Sequence, residues 1–379
     1  MHLLRVAYAS NMAADTISFA RGAPSLDIVD VEGLKDAAAR AFANDPGGAT
    51  AYGTAIGYVP LREWIAEQHS VEPANVVITN GSMQADAFLF DELVEPSDTV
   101  IVERPTYDRT LLGLRQRLAD IRMVELEPDG IDVDGVANLI DAGLEPKLAH
   151  IIPNFQNPAG HTLSRDKRDA LVNLAREHRF TIFEDDPYVS IRFAGDPLPT
   201  MLSLDRDENV VYASSFSKTV CPGIRVGYLV GPADLIASIV KRATNTYISP
   251  NMVAQAIVHE FCQSGALQRS IETVRTNLKA RVDALVTALE RDLPDARFVA
   301  PEGGYFMWLE LPEGTDVDKL FAAAGERGVT FVKGSDFLLE GGRNALRLAY
   351  SGVTPEQIDA GVGRLAEAYH SLSGTPTPA

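Results

Sequence analysis

The chain has 379 residues, 46% of them hydrophobic, which is enough to bury a large core and to form one large domain with a smaller one. Its 34 basic and 52 acidic residues give a net charge of −18, which argues against nucleic acid or an anionic membrane as a partner and favours small-molecule substrates. Two distant cysteines, Cys221 and Cys262, indicate neither a disulfide framework nor a zinc cluster, and no run is leader-like or long enough to span a membrane, so we expect a cytoplasmic protein.

Short apolar runs rich in β-branched residues recur along the first 230 residues, and helical patterns separate most of them. This alternation predicts an α/β fold with a mainly parallel, seven-stranded sheet and helices on both of its faces. After about residue 232 the pattern becomes helical, and a strand after Gly303-Gly304 opens a second, smaller α/β unit. The predicted strands of the large sheet are 76–79, 99–102, 121–126, 148–152, 180–183, 209–213 and 226–230.

Ligands of such sheets bind beyond the carboxyl ends of the strands, so the residues that follow each strand are the candidates for a site. Gly-Ser-Met-Gln at 81–84 opens a helix whose free N–H groups suit a phosphate, although the same turn is also ordinary helix capping. Tyr107 follows the second strand and either enters the cleft or packs elsewhere. Asp185 and Asp186 follow the fifth strand, where two acids ordinarily cap a helix or lie in a solvated loop.

The sixth strand leads into Ser-Ser-Phe-Ser-Lys at 214–218, and Arg225 follows seven residues after Lys218. Together these segments place a phosphate-binding helix start, an aromatic ring, an amide, a carboxylate, a lysine, hydroxyls and an arginine around one cleft. Pyridoxal phosphate needs this set, because a lysine forms its Schiff base, an acid pairs with its ring nitrogen, and cations and donors hold its phosphate.

The chain resembles, nearly end to end, the fold type I pyridoxal-phosphate aminotransferases, and among them the 2-aminoadipate and kynurenine aminotransferase-like subgroup. The blocks that carry the resemblance are Tyr-Gly-Thr-Ala-Ile-Gly-Tyr-Val-Pro-Leu-Arg, Gly-Ser-Met-Gln, Pro-Thr-Tyr, Gln-Asn-Pro-Ala-Gly, Glu-Asp-Asp-Pro-Tyr, Ser-Phe-Ser-Lys, Pro-Gly-Ile-Arg-Val-Gly, Gly-Gly-Tyr-Phe-Met-Trp and Leu-Arg-Leu-Ala-Tyr-Ser. It implies an N-terminal segment of the small domain at 1–44, a large cofactor-binding domain at 45–275, the small domain at 276–371 and a disordered tail at 372–379.

The resemblance implies that Lys218 binds the cofactor covalently and then shuttles the substrate's α-proton. It implies that Asp185 pairs with the pyridine nitrogen, with Asp186 as the rival. Asn157 and Tyr188 would bond the cofactor's phenolic oxygen, and Tyr107 would stack on its ring. The implied phosphate ligands are Ser82, Met83, Ser215, Ser217 and Arg225, and Met83 departs from the glutamine common in the subgroup.

Arg347 matches the arginine that binds the substrate's α-carboxylate. Asn154 lies close enough to Asn157 in sequence to share this carboxylate site, and Gly22 is in the entry segment that lines the substrate pocket in relatives. Arg21 stands where relatives usually have glycine, so it either recognises an acidic side chain or makes an ordinary surface contact. Tyr52 matches a tyrosine that reaches the phosphate in a neighbouring subunit, which implies a homodimer with shared active sites; the alternative is a packing tyrosine.

The expected function is transfer of an amino group from an α-amino acid to a 2-oxo acid. Another pyridoxal-phosphate reaction stays open, since the same carbanion leads to elimination, decarboxylation, racemisation, oxidation or carbon–carbon bond formation. A regulatory ligand-binding module is a further alternative, because related domains occur in transcription factors. The position of the matched blocks leaves no room for a preceding DNA-binding domain, and the charge of −18 opposes DNA contact.

Overall fold

The computed structural model describes residues 16–373. Its strands are β1 (Ile17–Ser18), β2 (Val76–Thr79), β3 (Thr99–Arg104), β4 (Asp120–Glu127), β5 (Gly130–Ile131), β6 (Pro146–Ile151), β7 (Thr181–Asp185), β8 (Val210–Ser215), β9 (Gly227–Val230), β10 (Phe306–Glu310), β11 (Val329–Thr330), β12 (Val332–Lys333) and β13 (Ala345–Ala349). Its helices are α1 (Val31–Asn44), α2 (Pro46–Thr50), α3 (Val59–His69), α4 (Ser82–Leu93), α5 (Asp108–Gln116), α6 (Val133–Asp141), α7 (Arg165–His178), α8 (Met201–Leu204), α9 (Ala233–Tyr247), α10 (Met252–Gln263), α11 (Ala266–Asp292), α12 (Val317–Glu326) and α13 (Pro355–Ser373).

The large sheet follows the order β2-β9-β8-β7-β6-β3-β4-β5. Strands β8, β7, β6, β3 and β4 pair in parallel, whereas β9 runs antiparallel to both of its neighbours. The predicted mainly parallel sheet is confirmed, and all seven predicted runs form strands. The eighth strand, β5, pairs antiparallel with the end of β4. Because β5 has only two residues, no periodicity in the sequence could predict it.

The inner strands of this sheet are buried on both faces, which explains their continuous apolar character, whereas β4 near the edge is partly exposed and carries charged residues. Val77 packs in one core cluster with helices α4 and α9, and the adjacent Val76 and Ile78 pack in another with α3 and α10. Successive side chains of a strand point to opposite faces, so a strand covered by helices on both sides must be apolar at every position.

A second unit contains the antiparallel sheet β10-β13-β12 and the short parallel pair β1-β11. Its core includes Phe19, Leu278, Phe306, Leu348 and Leu365, which come from β10, β13, α11, α13 and the N-terminal segment. Helix α11 runs without a break across residue 275, and α1 contributes Ala37 and Ala41 to the core formed with α10. The predicted domain boundaries stay a prediction.

The predicted disordered tail begins too early. Leu372 and Ser373 belong to α13, because no proline or glycine interrupts the chain between Gly363 and Gly374. The rest of the predicted tail lies outside the described residues, as do residues 1–15 of the predicted N-terminal segment. Within residues 16–373 no helix combines the length and the apolar character that crossing a bilayer requires.

Candidate active site

A cavity of about 160 Å³ lies beyond the carboxyl ends of the parallel strands, where the large unit meets the N-terminal segment and the second unit. Its lining includes every cofactor-binding candidate predicted from the sequence except Tyr52. The lining residues are Ser82, Met83, Tyr107, Ile152, Asn157, Asp185, Pro187, Tyr188, Ser215, Ser217, Lys218, Pro222 and Arg225. The topology of the sheet therefore brings together side chains that are up to 143 positions apart in the chain, from Ser82 to Arg225.

At one end of the cavity, hydrogen-bond donors form a cup that could bind an anion; we call it the anion cup. Helix α4 begins at Ser82, so its first N–H groups have no intrahelical partners and are available to bind an anion. Ser215 Oγ lies 2.8 Å from Ser217 Oγ, and an Arg225 Nη atom lies 3.2 Å from the same Ser217 oxygen. Two hydroxyls, a guanidinium and a helix N-terminus form a site suited to a phosphate dianion.

Gly81 is required in this cup for two reasons. Its φ is +77°, a conformation that favours glycine, and a Cβ there would lie 2.0 Å from an Arg225 guanidinium nitrogen. Arg225 also donates to the carbonyl oxygen of Asn80 at 3.2 Å. The glycine thus allows the arginine to approach the turn that precedes α4.

Lys218 follows β8 and reaches across the cavity. Its Nζ donates to the carbonyl oxygen of Gly22 at 2.9 Å and lies 5.0 Å from the ring centre of Tyr305 and 5.5 Å from that of Tyr188. Burial, followed by the positive charges of Arg347 and Arg225, lowers the pKa of the Lys218 amine to about 8. At pH 7 roughly a tenth of this amine is therefore uncharged and nucleophilic, far more than of an ordinary lysine.

Asp185 ends β7 and lies on the floor of the cavity. The carboxylate is buried, and its Oδ2 lies 3.7 Å from Nε2 of His150 on the neighbouring strand β6. The other oxygen, Oδ1, has no hydrogen-bond partner among residues 16–373. A buried carboxylate oxygen without a partner is costly, so this geometry suits a ligand that brings a donor to it, such as a protonated ring nitrogen.

Asp186 lies on the other side of the chain from Asp185 and outside the cavity. Its Oδ2 accepts a hydrogen bond from the Asn154 amide at 2.9 Å, and Asn154 in turn accepts one from Arg168 at 2.9 Å. Burial first, and then the charge of Glu184, raises the pKa of Asp186 to about 8. At neutral pH the carboxyl is mostly protonated and belongs to a buried structural network.

The same network corrects the expectation for Asn154. Both ends of its amide are bonded, to Asp186 and to Arg168, and Asn154 does not line the cavity. The residue that contacts the Arg347 guanidinium is Asn157, whose Oδ1 accepts from Nη1 at 2.9 Å. Proximity in sequence was a poor guide here, because the two asparagines bond different partners although only two residues separate them.

Arg347 projects from β13 toward the cavity and is held by aromatic rings. Its guanidinium carbon lies 4.2 Å from the ring centre of Phe306 and 4.9 Å from that of Phe337, while Nη2 donates to the carbonyl oxygen of Ala20 at 2.8 Å. Its buried Nε has no hydrogen-bond partner among the described residues. Such a fixed, stacked guanidinium suits the planar recognition of a carboxylate.

Two tyrosines complete the walls. Tyr107 caps α5 and lies with its hydroxyl 3.9 Å from the Met83 sulfur, and burial raises the pKa of Tyr107 to about 12. Tyr188 is buried and packs edge-on against Phe306. Both phenols are therefore neutral hydrogen-bond donors at physiological pH. An apolar ring face, a donor phenol, a lysine, an acceptor carboxylate and an anion cup fit pyridoxal phosphate.

Three predicted site residues have distinct positions. Gly22 borders Lys218, and a Cβ on it would lie 2.4 Å from the Phe306 ring. Arg21 is exposed and does not line the cavity. Tyr52 is 90% exposed and also lies outside the cavity of its own chain.

His150 is the functional candidate that sequence reasoning missed. It is buried in the central strand β6, with Nε2 3.4 Å from the Thr110 hydroxyl in addition to its approach to Asp185. The available signal was a single imidazole within the otherwise apolar run at 148–152. Ile152 and Pro187 also line the cavity, but nothing in their residue type marked them beforehand.

A family model described as "Aminotransferase class I and II" matches residues 14–365. Among curated proteins, the 2-aminoadipate transaminase of Thermus thermophilus is 33% identical, with 94% of this chain and 90% of the relative covered. Aromatic-amino-acid aminotransferase 1 of Thermococcus litoralis is 31% identical, with 93% and 88% covered. The solved alpha-aminoadipate aminotransferase of Thermus thermophilus, complexed with N-(5'-phosphopyridoxyl)-L-leucine, superposes with a TM-score of 0.91 at 32% identity and covers 96% of this chain and 94% of that one.

Proposed function

The chain belongs to the class I and II aminotransferases, pyridoxal-phosphate enzymes that transfer amino groups, and on that premise we propose that Lys218, Asp185 and Arg347 carry this reaction here. When bound, the cofactor's protonated ring supplies an electron sink for the carbanion formed at the substrate's α-carbon. The chain's own residues hold that ring, orient the substrate and move its proton.

The observation that carries the assignment is the environment of Lys218. A buried lysine with a pKa lowered to about 8 supplies a free amine at the carboxyl edge of the sheet, between the anion cup and Arg347. Nζ of Lys218 would hold the cofactor covalently through its aldehyde group. Once released by the substrate, the same Nζ is placed to accept the proton from the substrate's α-carbon.

Asp185, rather than Asp186, holds the ring nitrogen. The unpartnered Oδ1 of Asp185 supports this choice, as does the engagement of Asp186 with Asn154 outside the cavity. His150 positions Asp185 from behind through the approach of 3.7 Å. Tyr107 would stack on the ring, Asn157 and Tyr188 would donate to its phenolic oxygen, and the cup of Ser82, Met83, Ser215, Ser217 and Arg225 would hold its phosphate.

Arg347 binds the α-carboxylate of the amino acid and then of the 2-oxo acid. Its contact with Asn157 connects carboxylate recognition to the cofactor's oxygen. Gly22 lies on the segment that touches Lys218, and the neighbouring Arg21, although exposed and outside the cavity lining, biases the choice of donor toward acidic side chains in this proposal. This arrangement supports α-amino acids rather than amines as donors.

The functional unit is a cytoplasmic homodimer whose subunits share active sites. Tyr52 supports the dimer. Its side chain is 90% exposed and lies outside the cofactor cavity of its own chain, so it is available to reach the anion cup of a neighbouring subunit. Tyr52→Phe is expected to weaken the binding of pyridoxal phosphate, and a mixture of Tyr52→Phe and Lys218→Ala chains is expected to form hybrid dimers with one fully native site.

A donor screen tests the function. Purified enzyme is mixed with each common amino acid, and the near-visible cofactor band is followed as it converts to that of pyridoxamine phosphate, while the 2-oxo acid is quantified. One equivalent of 2-oxo acid per cofactor converted is the expected result. Carbon dioxide, ammonia or an oxidised product in place of the 2-oxo acid would assign another pyridoxal-phosphate reaction.

A further inference from the structure

A second cavity, of about 1060 Å³, lies on the opposite face of β8 and β9 from helices α4 and α9. It is the larger of the two cavities, but it lacks a lysine and an anion cup. Tyr212 and Ser214 of β8 and Tyr228 of β9 line it on the sheet side, and Trp64 and His69 of the adjacent helix α3 continue the same wall. Ser215 and Pro187 also border the cofactor cavity, so the two spaces are neighbours across the end of β8.

The inner wall is a group of aromatic rings in contact with one another. His69 lies 4.7 Å from Tyr212 between ring centres, and Phe216 lies 5.8 Å from Tyr228 and 6.2 Å from Trp64. Trp64, His69 and Tyr228 are partly exposed to the open space, whereas Tyr212 and Phe216 are buried behind them. Partly exposed flat rings favour a flat ligand, which gains offset or edge-on contacts with several of them at once.

The polar groups of this wall are neutral. His69 Nε2 lies 3.2 Å from the Tyr228 hydroxyl, and burial lowers the pKa of His69 to about 4, so its imidazole is uncharged at neutral pH. Burial also raises the pKa of Tyr228 far above the physiological range. Ser214 is already bonded, since its Oγ donates to the backbone oxygen of Asp186 at 2.9 Å. Tyr228 is only partly buried and lines the cavity, and its hydroxyl, which is paired with His69, can take part in more than one hydrogen bond.

The charged lining residues lie together, on the turn after α8. Among them, the Asp205 carboxylate is occupied by the backbone N–H groups of Asn209 and Val210, at 2.6 and 2.9 Å. Arg206 and Glu208 are exposed and of opposite sign. A charged ligand deep in the cavity would therefore lose its hydration without gaining a counter-charge, whereas a neutral ligand would not incur that cost.

We propose that this cavity, lined by Trp64, His69, Tyr212, Phe216 and Tyr228, is a second binding site that takes a neutral, planar heteroaromatic molecule with one hydrogen-bonding group. The ring system lies among the aromatic side chains, and its N–H or O–H bonds the Tyr228 hydroxyl. The site is separate from amino-group transfer and does not depend on the roles assigned to Lys218 or Arg347.

The test uses two probes of equal size, indole and indene, which differ in the N–H group. Their binding to the holoenzyme is measured by calorimetry, with and without saturating amino-acid substrate. Indole is expected to bind severalfold more tightly than indene, and substrate is expected to leave its affinity unchanged. Displacement of indole by substrate, no binding of indole, or equal binding of the two probes would overturn the proposal.

Two variants locate the site. Gln268 is exposed at the cavity's rim, so Gln268→Trp should fill the entrance and lower indole affinity at least about tenfold, equal to about 1.4 kcal/mol. Gln263→Trp, at an exposed position outside the lining, is the matched control and should bind indole normally. Tyr228→Phe should bind indole and indene alike. Unchanged indole affinity in Gln268→Trp, or a retained preference in Tyr228→Phe, would contradict the assignment.

Discussion

The Nζ atom of Lys218 donates a hydrogen bond of 2.9 Å to the carbonyl oxygen of Gly22, across 196 positions of the chain. This contact joins the end of β8 to the N-terminal segment that pairs with the second unit through β1. This hydrogen bond fixes the lysine side chain over the cavity. Cofactor binding therefore has a smaller entropy cost for ordering that side chain. The reactive amine is thus hydrogen-bonded directly to the N-terminal segment that contains Gly22.

Lys218→Ala is expected to abolish both the near-visible absorbance of covalently bound cofactor and turnover, because no other lysine lines the cavity within residues 16–373. Absorbance spectra and single-turnover assays measure the two effects. Lys241→Ala, on the exposed side of α9, is the control and should keep both. Full activity in Lys218→Ala would refute the assignment of this lysine.

Capture of pyridoxal phosphate by the apoenzyme should accelerate with pH. The free-amine fraction of Lys218 rises about tenfold per pH unit below the pKa and levels off above it, so the rate should reach half its maximum near the pKa of about 8. Stopped-flow absorbance from pH 6 to 10 measures this profile. A midpoint near the ordinary lysine value of 10.5 would show that the amine is not perturbed.

The stability of the apoenzyme should also change with pH in a defined direction. The pKa of Lys218 is lower in the folded than in the unfolded chain, so the unfolded chain binds the proton more tightly, and the contribution of this group to the free energy of unfolding rises between about pH 8 and 10.5. Thermal melts of the apoenzyme and of Lys218→Met over this range isolate the effect as a difference. A difference between their melting temperatures that does not vary with pH would contradict it.

Asp185→Asn should keep most of the bound cofactor but slow α-proton removal severely, since an amide cannot stabilise a protonated ring nitrogen as a carboxylate does. Asp186→Asn should be mild, because burial raises the pKa of Asp186 to about 8 and the amide resembles the protonated acid that is already present. Stopped-flow absorbance with a good donor compares the variants. Equal losses from both would remove the distinction between the two acids.

Arg347→Ala should reduce kcat/KM for every amino-acid donor alike. Removing one partner of a desolvated carboxylate pair costs about 2–5 kcal/mol, and Arg347 is 7% exposed. Arg21→Gly should instead change the ranking of glutamate and 2-aminoadipate against leucine and phenylalanine. An unchanged ranking would show that Arg21 makes only a surface contact. A near-normal kcat/KM in Arg347→Ala would show that the substrate carboxylate binds elsewhere.

Gly22→Ala should impair catalysis while leaving the protein folded. The new Cβ would lie 2.4 Å from the Phe306 ring, which must move, and that ring supports Arg347 at 4.2 Å. Because Arg347 binds the donor's carboxylate, we expect KM for amino-acid donors to rise in Gly22→Ala, as measured by steady-state kinetics. Gly325→Ala is the control, since it lies in α12 with open space around its Cβ and should stabilise the helix by about 0.5–1 kcal/mol. Unchanged kinetics in Gly22→Ala would show that Phe306 does not position Arg347.

The sequence predicted the large sheet and the cluster around Lys218 because both rest on local patterns. Continuous apolar runs such as Val76–Thr79 report burial on both faces, and parallel strands bring their carboxyl ends to one edge whatever the details of packing. The residues that follow those strands, from Ser82 to Arg225, therefore meet in one cavity. The resemblance of short motifs added their roles.

Only the tertiary structure decided which polar groups bond to one another. Asn154 and Asn157 are equivalent by type, yet the first bonds Asp186 and Arg168 while the second contacts Arg347, and Asp185 and Asp186 separate in the same way. His150 behind Asp185 and the aromatic cavity beside Tyr228 depend on strand order and helix placement. The physical reason is range: hydrogen bonds and cavities are set by contacts between residues tens to hundreds of positions apart, and no local period in the chain encodes them.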